Sequence, residues 1–418
     1  MGKLLIDNVQ PGMVLAEDLR DRHGRFLLAK GMPVQEKHLR IFKIWGVSEV
    51  AVEGEGAHPV AEPEQYSQQE WDRAASRILD RFPDFDPQNP VSRKLLDIFT
   101  LWACKYPEGF YTLPQWQKLL GSHSQPPAKL PQEPVDPAFI VRDETKLPSL
   151  PNIFVQIQDA VKDPRTSAKH LADIISKDQG LSTRLLKLVN SPFYGFPSQI
   201  DTISRAIAIL GTRQVSTLAM GVTVLSQFKN ISPDIIDMPA FWKHSLACAI
   251  GAKTLAQHCN ISNTESIFVC GLIHDIGRLL MLRYFPQESL WSMYMAAQEQ
   301  IELPRAEKMF FRLDHTVLGA RLMKRWKLPV KLEQTIRYHN HPSKSRFHLE
   351  TTLVNMANVL ATGCRIGFSG EFIIPGPDLQ SWSEFDIDPS VLPQTAKLMQ
   401  SQVDNLFQLF FAQKGNSS

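Results

Sequence analysis

The stretch FVCGLIHDIGRLLM, Phe268–Met281, sits inside the longest apolar run of the chain, Ser266 to Leu282, and interrupts it with His274, Asp275 and Arg278. Those three residues rule the run out as a membrane span, which needs about 20 consecutive apolar residues. Adjacent side chains on a helix point about 100° apart. His274 and Asp275 therefore reach one point only where the pair faces a cavity.

Outward from this stretch the texture is helical almost throughout, from Asp136 onward. Apolar residues recur at three- and four-residue spacing in Ile153, Val155, Ile157 and Val161, again in Leu185, Leu186, Leu188 and Val189, and in Ile203, Ile207, Ile209 and Leu210,. Turn signals divide the run at Asp163-Pro164, Ser191-Pro192, Gly211-Thr212, Asn260, Leu328-Pro329 and His341-Pro342,. Thr212 and Thr264 are expected to cap helix N-termini. No comparable strand pattern occurs before the short Phe372-Ile373-Ile374 stretch, and a last amphipathic helix is expected near Gln394 to Gln413. The fold class that follows is mainly α, an irregular multi-helix bundle.

Four stretches carry a family resemblance. They are LPSLPNIFVQI (Leu147–Ile157) with LLKLVNSPFYGFPSQIDTISRAIAILG (Leu185–Gly211); FWKHSLACAIGAKTLA (Phe241–Ala256); FVCGLIHDIGRLLM itself; and DHTVLGARLMKRWKLP (Asp314–Pro329) leading into IRYHNHP (Ile336–Pro342). In this order, over roughly residues 140 to 345, they resemble an HDOD domain, a relative of the HD superfamily of metal-dependent phosphohydrolases. The resemblance implies an all-helical domain with a role in bacterial signal transduction. It also implies signalling-protein partners from two-component or cyclic-dinucleotide circuits, and no efficient catalysis.

The same resemblance supplies a candidate metal site. His244 matches the upstream histidine of HD hydrolases, and His274 and Asp275 match the HD pair. His315 and His339 resemble the additional histidines of HD-GYP phosphodiesterases. Imidazole and carboxylate suit a divalent transition metal such as iron, manganese, zinc or nickel, and helices can bring such ligands together from distant segments. The closing aspartate of the superfamily is expected within Leu353 to Leu360, where the best match is Asn358. An amide oxygen can ligate but brings no charge, which weakens a cation site. No GYP-like segment follows His339. The competing structural reading is a hydrogen-bonded core histidine for His315 or His339, and a solvated loop residue for His341.

The N-terminal residues differ. Met13-Val14-Leu15 and Phe26-Leu27-Leu28 flank Asp21-Arg22-His23-Gly24 as a hairpin, followed by a helix over Lys37 to Trp45 and a strand at Glu49 to Val52,. PGMVLAEDLRDRHGRFLLAKGMPV (Pro11–Val34), with GVSEVAV (Gly46–Val52) after the helix, resembles the small module ahead of some HD-GYP and HDOD domains. Helical patterns follow at Gln69 to Arg81 and Val91 to Cys104, then a Pro/Ser-rich linker, Ser122 to Pro134. The expected organisation is thus an α+β module at 1–57, a proline-rich helical subdomain and linker at 58–138, the helical HDOD-like domain at 139–345, and a helical extension at 346–418.

Composition narrows the function classes. Hydrophobic residues make up 43% of the 418 residues and charged residues 21%, an ordinary globular balance,. Lys+Arg (45) nearly cancels Asp+Glu (43), so nothing in the net charge of +2 calls for a nucleic-acid partner,. The five cysteines are widely spaced with no CxxC pair. They read as reduced thiols of a cytoplasmic protein. The N-terminus carries no signal peptide or myristoylation pattern. Asn190-Ser191-Pro192 reads as a helix stop rather than a nucleophile. Lys324-Arg325-Trp326-Lys327 reads as a solvated helix end with Trp326 packed inward. The leading reading is a regulator or scaffold acting through protein partners or a small ligand. The alternative is a metal-dependent phosphohydrolase, either a phosphodiesterase or a nucleotide phosphatase. A nucleic-acid-binding regulator has only the short basic run behind it.

Overall fold

The computed structural model describes residues 2–6, 9–20, 26–36, 38–39, 42, 47, 49–53, 66–109, 133–142, 150–163, 165–196, 198–228 and 231–411. It resolves into two compact units, Met1–Ser67 with Leu186–Thr202, and Gln68–Leu185 with Ile203–Ser418.

In the first unit, β1 (Gly2–Leu5) pairs antiparallel with β4 (Glu49–Val52), with Gly2 opposite Val52 and Leu5 opposite Glu49. A second two-stranded ribbon joins β2 (Leu19–Arg20) to β3 (Phe26–Leu28). The hairpin partner of Phe26–Leu28 is therefore Leu19–Arg20. The expected partner, Met13-Val14-Leu15, is engaged elsewhere: Val14 bridges Pro33 and Leu15 bridges Val52. The apolar side chains explain that choice, since Leu15 has no exposed surface and belongs to a core with Leu4, Val34, Phe42, Val50 and Val52. The turn at 21–24 and most of the expected helix at 37–45 lie outside the described residues; His38, Leu39 and Phe42 are helical. Asn190 closes the 190–200 loop, donating to the carbonyls of Leu186 and Ile200 and accepting from the Ile200 N–H at 2.7 Å.

The second unit is helical among its described residues. It opens with α1 (Gln68–Leu79) and α2 (Pro90–Lys105), then α3 (Ala138–Arg142), α4 (Asn152–Lys162) and α5 (Ala168–Ser176). Helix α6 (Gln179–Val189) begins here, and α7 (Ile203–Leu210) and α8 (Thr212–Leu225) follow. The centre is built from α9 (Met238–His258), α10 (Thr264–Ile273) and α11 (Ile276–Tyr284). Then come α12 (Pro286–Gln298), α13 (Leu303–Phe310), α14 (His315–Arg325) and α15 (Val330–Tyr338). Helices α16 (His348–Gly363), α17 (Leu379–Glu384) and α18 (Val391–Phe411) complete it. Of the expected linker at 122–134, residues 122–132 lie outside the described residues.

Buried side chains run without a break along α9 from His244 to Ala256, along α10 from Glu265 to Ile273, and along α16 from Thr351 to Gly363. A helix that is apolar all round must be interior. These three pack on one another, with α18 also against α9. The peripheral helices keep one wet face. On α4 and α7, Ile153, Ile157, Ile203 and Ile207 are buried, while Val155, Val161 and Ile209 are 46%, 41% and 45% exposed. The helical spacing was therefore right, but three of the residues that carried it face solvent.

Two cap expectations move by one residue. Asn263, not Thr264, caps α10, its side chain accepting from the Ser266 N–H, as expected of a short polar acceptor. Thr212 is the first residue of α8 rather than its cap. Gly211 holds the cap position at φ 98°, a backbone angle that side chains beyond Cα rarely allow,. The last helix begins at Val391, three residues earlier than expected, because Pro393 is tolerated in a first turn,. Phe372–Ile374 is buried but forms no strand. All five cysteines are free. No helix among the described residues is long and apolar enough to cross a membrane.

Candidate functional site

Four helix ends and one helix interior meet in the centre of the second unit. His244 and Cys248 lie one turn apart on α9. His274 ends α10, Asp275 precedes α11, His315 begins α14, and His339 ends α15. Glycines allow the approach. A Cβ on Gly271 would meet the Cys248 carbonyl at 2.7 Å, and one on Gly277 would collide with the backbone of His315 and Gly319. Helix α10 can thus lie against α9, and α11 against α14, at backbone distance.

The structure brings all six sequence-named residues into one neighbourhood. The ring centroids of His244 and His274 are 5.4 Å apart, those of His274 and His339 5.1 Å, and those of His339 and His315 5.5 Å. Asn358, on α16, is buried, with its Oδ1 3.9 Å from the Cys248 sulfur and a hydrogen bond to His244. His341 is exposed, and Trp326 is buried at the end of the basic run.

The cluster has an imidazole half and a charged half. In the first, His274 Nδ1 donates to the Gly271 carbonyl at 2.8 Å and His339 Nδ1 to the Ile336 carbonyl at 2.9 Å. Each ring then turns its Nε2 inward. Burial, reinforced by His274, holds His244 down at about 3 and His339 well below the ordinary histidine value. The Cys248 thiol is pushed well above its ordinary value by burial and by Asp275.

In the charged half, Arg278 donates through Nη1 to Asp275 Oδ2 at 2.8 Å and to the carbonyl and hydroxyl of Ser369 at 2.9 Å. Its Nη2 donates to Glu371 Oε1 at 3.1 Å. His315 donates its backbone N–H and its Nδ1–H to Glu307 Oε2, both at 2.8 Å. Burial opposes charge on His315, but Glu307 overrides it and lifts the imidazole to about 9. Burial likewise opposes charge on Asp275, and Arg278 overrides it, holding the carboxyl well below its usual range. Glu371 is pushed up by burial.

A metal fits the seam between the halves on donor chemistry. His274 Nε2 and His339 Nε2 are buried nitrogens with no hydrogen-bond partner among the described residues, and Asp275 Oδ1 faces His315 Nε2 at 3.2 Å. His274 Nε2 is 3.3 Å from Asp275 Oδ2, and His339 Nε2 3.9 Å from Asp275 Oδ1. Ligands of a tetrahedral ion at about 2.1 Å stand roughly 3.4 Å apart. A histidine whose second nitrogen donates to a backbone carbonyl is also the usual arrangement of a metal ligand. Two groupings satisfy the spacing, His274–Asp275–His339 and His244–Cys248–His274, sharing His274. His315 stands apart: its Nδ1 is bound to Glu307 and its Nε2, 3.2 Å from Asp275 Oδ1, carries the second proton of an imidazolium.

Sequence reasoning passed over Arg278, Glu307, Glu371 and Cys248. Arg278 is three residues beyond Asp275 and Cys248 four beyond His244, spacings that place side chains on one helix face, so both carried a readable signal. Glu307 and Glu371 come from distant segments and carried none.

Residues 147–342 match the HDOD domain family. An uncharacterized protein of Treponema pallidum (strain Nichols) is 27% identical over 199 residues, 47% of this chain and 38% of that protein, so the match spans under two fifths of the relative's length. Among solved structures, an HDOD domain protein of unknown function from Geobacter sulfurreducens superposes with a TM-score of 0.54 at 24% identity, covering 66% of this chain and 98% of its own. A protein from Shewanella amazonensis SB2B provisionally named a phosphohydrolase gives 0.54 at 23% identity, covering 67% and 99%. One from Marinobacter aquaeolei VT8 provisionally named for signal transduction gives 0.52 at 20%, covering 72% and 66%. These likenesses establish the helical fold.

Proposed function

For a chain that carries an HDOD domain over residues 147–342, we propose a signal-transduction regulator whose His-Asp cluster is a buried structural or metal centre rather than a site of turnover. The observation that carries this reading is the state of Asp275. Its carboxylate is 2% exposed, one oxygen accepts from Arg278, and the other faces the His315 imidazolium. The neighbouring His274 and His315 have no exposed surface at all. A phosphate ester must reach the reacting groups to be hydrolysed, and closed helix ends give it no contact with them. Such a centre ties α9, α10, α11, α14 and α15 together and leaves the outer helix faces to signalling partners, from two-component or cyclic-dinucleotide circuits.

The second reading, a metal-dependent phosphohydrolase, is favoured by the convergence of His274 Nε2, His339 Nε2 and Asp275 Oδ1 within ligand spacing of one another. His274, Asp275 and His339 would hold a divalent iron, manganese, zinc or nickel ion, with His244 and Cys248 alongside. Such an ion, when bound, polarises phosphate oxygens and lowers the pKa of water. Asn358, neutral where the superfamily closes its ligand set with a carboxylate, argues against tight binding of a catalytic ion.

The deciding experiment measures metal in protein purified without chelators, for the wild type and a His274→Ala/Asp275→Ala double variant, followed by phosphodiesterase and phosphatase assays on metal-loaded protein. The regulator reading expects metal in the wild type, its loss in the variant, and no turnover by either. Phosphoester turnover by the wild type that vanishes in the variant overturns it. A metal-free wild type removes the metal and leaves the regulator.

A further inference from the structure

The two segments that deliver His315 and His339 to the cluster present their neighbouring residues to a separate cleft of about 130 Å³. Asp314 and Thr316 flank His315 there, and Tyr338 and Asn340 flank His339. Arg337, Lys308 and Lys344 supply positive charge, and Glu302 joins Asp314 on the negative side.

The acidic groups of this cleft are already used. Asp314 caps α14 by accepting from the Val317 N–H, accepts from the Thr316 hydroxyl at 2.7 Å, and pairs with Lys308 at 2.9 Å. Burial opposes its charge, but His315 and these bonds hold its carboxyl well below the ordinary range. Glu302 accepts from the Gly376 N–H. The donors are in surplus. Arg337 gives Nη1 to the Thr316 hydroxyl, and its guanidinium lies 5.1 Å over the Tyr338 ring, with no other hydrogen bond among the described residues. Lys344 is exposed, with no ion-pair partner among the described residues. Both amide atoms of Asn340 are shielded from solvent without a hydrogen-bond partner. A buried amide left unpaired costs about 1–3 kcal/mol.

We propose that this cleft is a binding site for a phosphoryl group, held by Arg337 and Lys344 with Asn340 in its lining. A surplus of donors calls for an acceptor-rich, anionic ligand. Arginine's planar fork matches phosphate geometry, and lysine adds a point charge. The volume is close to the roughly 150 Å³ of a cavity that takes up benzene and below the ~300–1,000 Å³ of sites for whole drug-sized ligands. One phosphoryl group fits inside, with any organic remainder outside. The site does not depend on the function proposed above, because it binds the anion whether or not the cluster binds metal.

The test is calorimetric titration of the full chain, in phosphate-free buffer, with inorganic phosphate, a nucleoside monophosphate and acetate. Lys344→Glu is the site variant, and Lys324→Glu, the same charge change near the end of α14, is the control. Lys344 is exposed and unpaired, so its variant keeps the fold, which circular dichroism verifies; Asn340→Leu serves as a second site variant. The expected result is saturable phosphate binding, weakened at least about tenfold by Lys344→Glu and less than about twofold by Lys324→Glu. Tighter binding of the nucleotide than of inorganic phosphate identifies a phosphomonoester as the source, and equal binding identifies free phosphate. Three outcomes overturn the proposal: no heat with either phosphate ligand at tens of millimolar, acetate binding as tightly as phosphate, or equal weakening by the control variant. The first would mean that water alone satisfies the surplus donors of the cleft.

Discussion

The two halves of the buried cluster share Asp275 but solve the problem of burying polar groups in opposite ways. Around Arg278, charges are grouped with opposite charges: Asp275, Glu307 and Glu371 surround one guanidinium, and His315 is protonated against Glu307. Around His274 and His339 the rings are anchored by Nδ1 to backbone carbonyls, with no hydrogen bond made by their Nε2 atoms among the described residues. The first half is held by opposite charges, although Arg278 Nε and Glu371 Oε2 have no hydrogen-bond partner among the described residues. The second is complete only when a cation or water enters. The lesson is that a retained His-Asp motif does not by itself describe a site, since what the carboxylate is doing elsewhere decides how much of it remains for a ligand.

Arg278→Met gives the largest expected effect. It leaves Asp275, Glu307 and Glu371 buried without their cation, and breaking a buried ion network from one side costs about 3–5 kcal/mol. His339→Leu in the other half loses one bond to the Ile336 carbonyl and should cost about 1–3 kcal/mol. Urea unfolding of both variants checks this. A cost below about 1 kcal/mol for Arg278→Met would mean that the charged half is hydrated and not closed.

The pH dependence of the metal-free protein separates the halves next. His315 titrates at about 9 in the folded protein and at about 6.5 unfolded. Its folded value is raised, so its contribution is fully present below pH 6.5 and fades as pH climbs through about 9. At about 1.4 kcal/mol per pH unit this amounts to about 3 kcal/mol. His244, lowered to about 3, and His339, lowered as well, work the other way. The unfolded chain takes up their protons first, so stability falls as pH drops below 6.5 toward 3. A stability maximum near pH 6.5 is expected, measured by denaturant unfolding in chelator. His315→Gln should flatten the alkaline arm and leave the acid arm. If the alkaline arm survives that change, the charge on His315 is not what the closed half relies on.

Much of this architecture was legible beforehand, for identifiable reasons. Three- and four-residue spacing marks helices whatever they pack against, so the all-helical unit could be read directly, and ordered motifs pointed to His244, His274, Asp275, His315 and His339. Face assignment was less legible, because Val155 and Ile209 are apolar residues that the fold leaves wet. Strand pairing failed at Met13-Val14-Leu15, where register depends on which side chains reach a common core, a tertiary fact. Glu307 and Glu371 reach the cluster from segments with no local signal, so the neutralisation of Asp275 could not be read from the motif that contains it. Arg278 could have been, from its three-residue spacing.

The smallest expected effect sharpens the seam itself. Asn358→Asp returns a carboxylate to the helix facing His244 and Cys248. Without metal it buries a further carboxylate in the cluster, which costs stability unless a cation pairs with it. With metal it supplies the charge that an amide lacks, and the metal dissociation constant should fall by about tenfold or more. The variant should therefore be less stable than the wild type in chelator and recover that loss in the presence of zinc or manganese, read by thermal unfolding in the two conditions. Recovery requires that Asn358, His244, His274 and Asp275 close on one ion. An unchanged dissociation constant would place Asn358 outside coordination reach, leaving His274–Asp275–His339 as the whole of the site and His244 with Cys248 as packing around it.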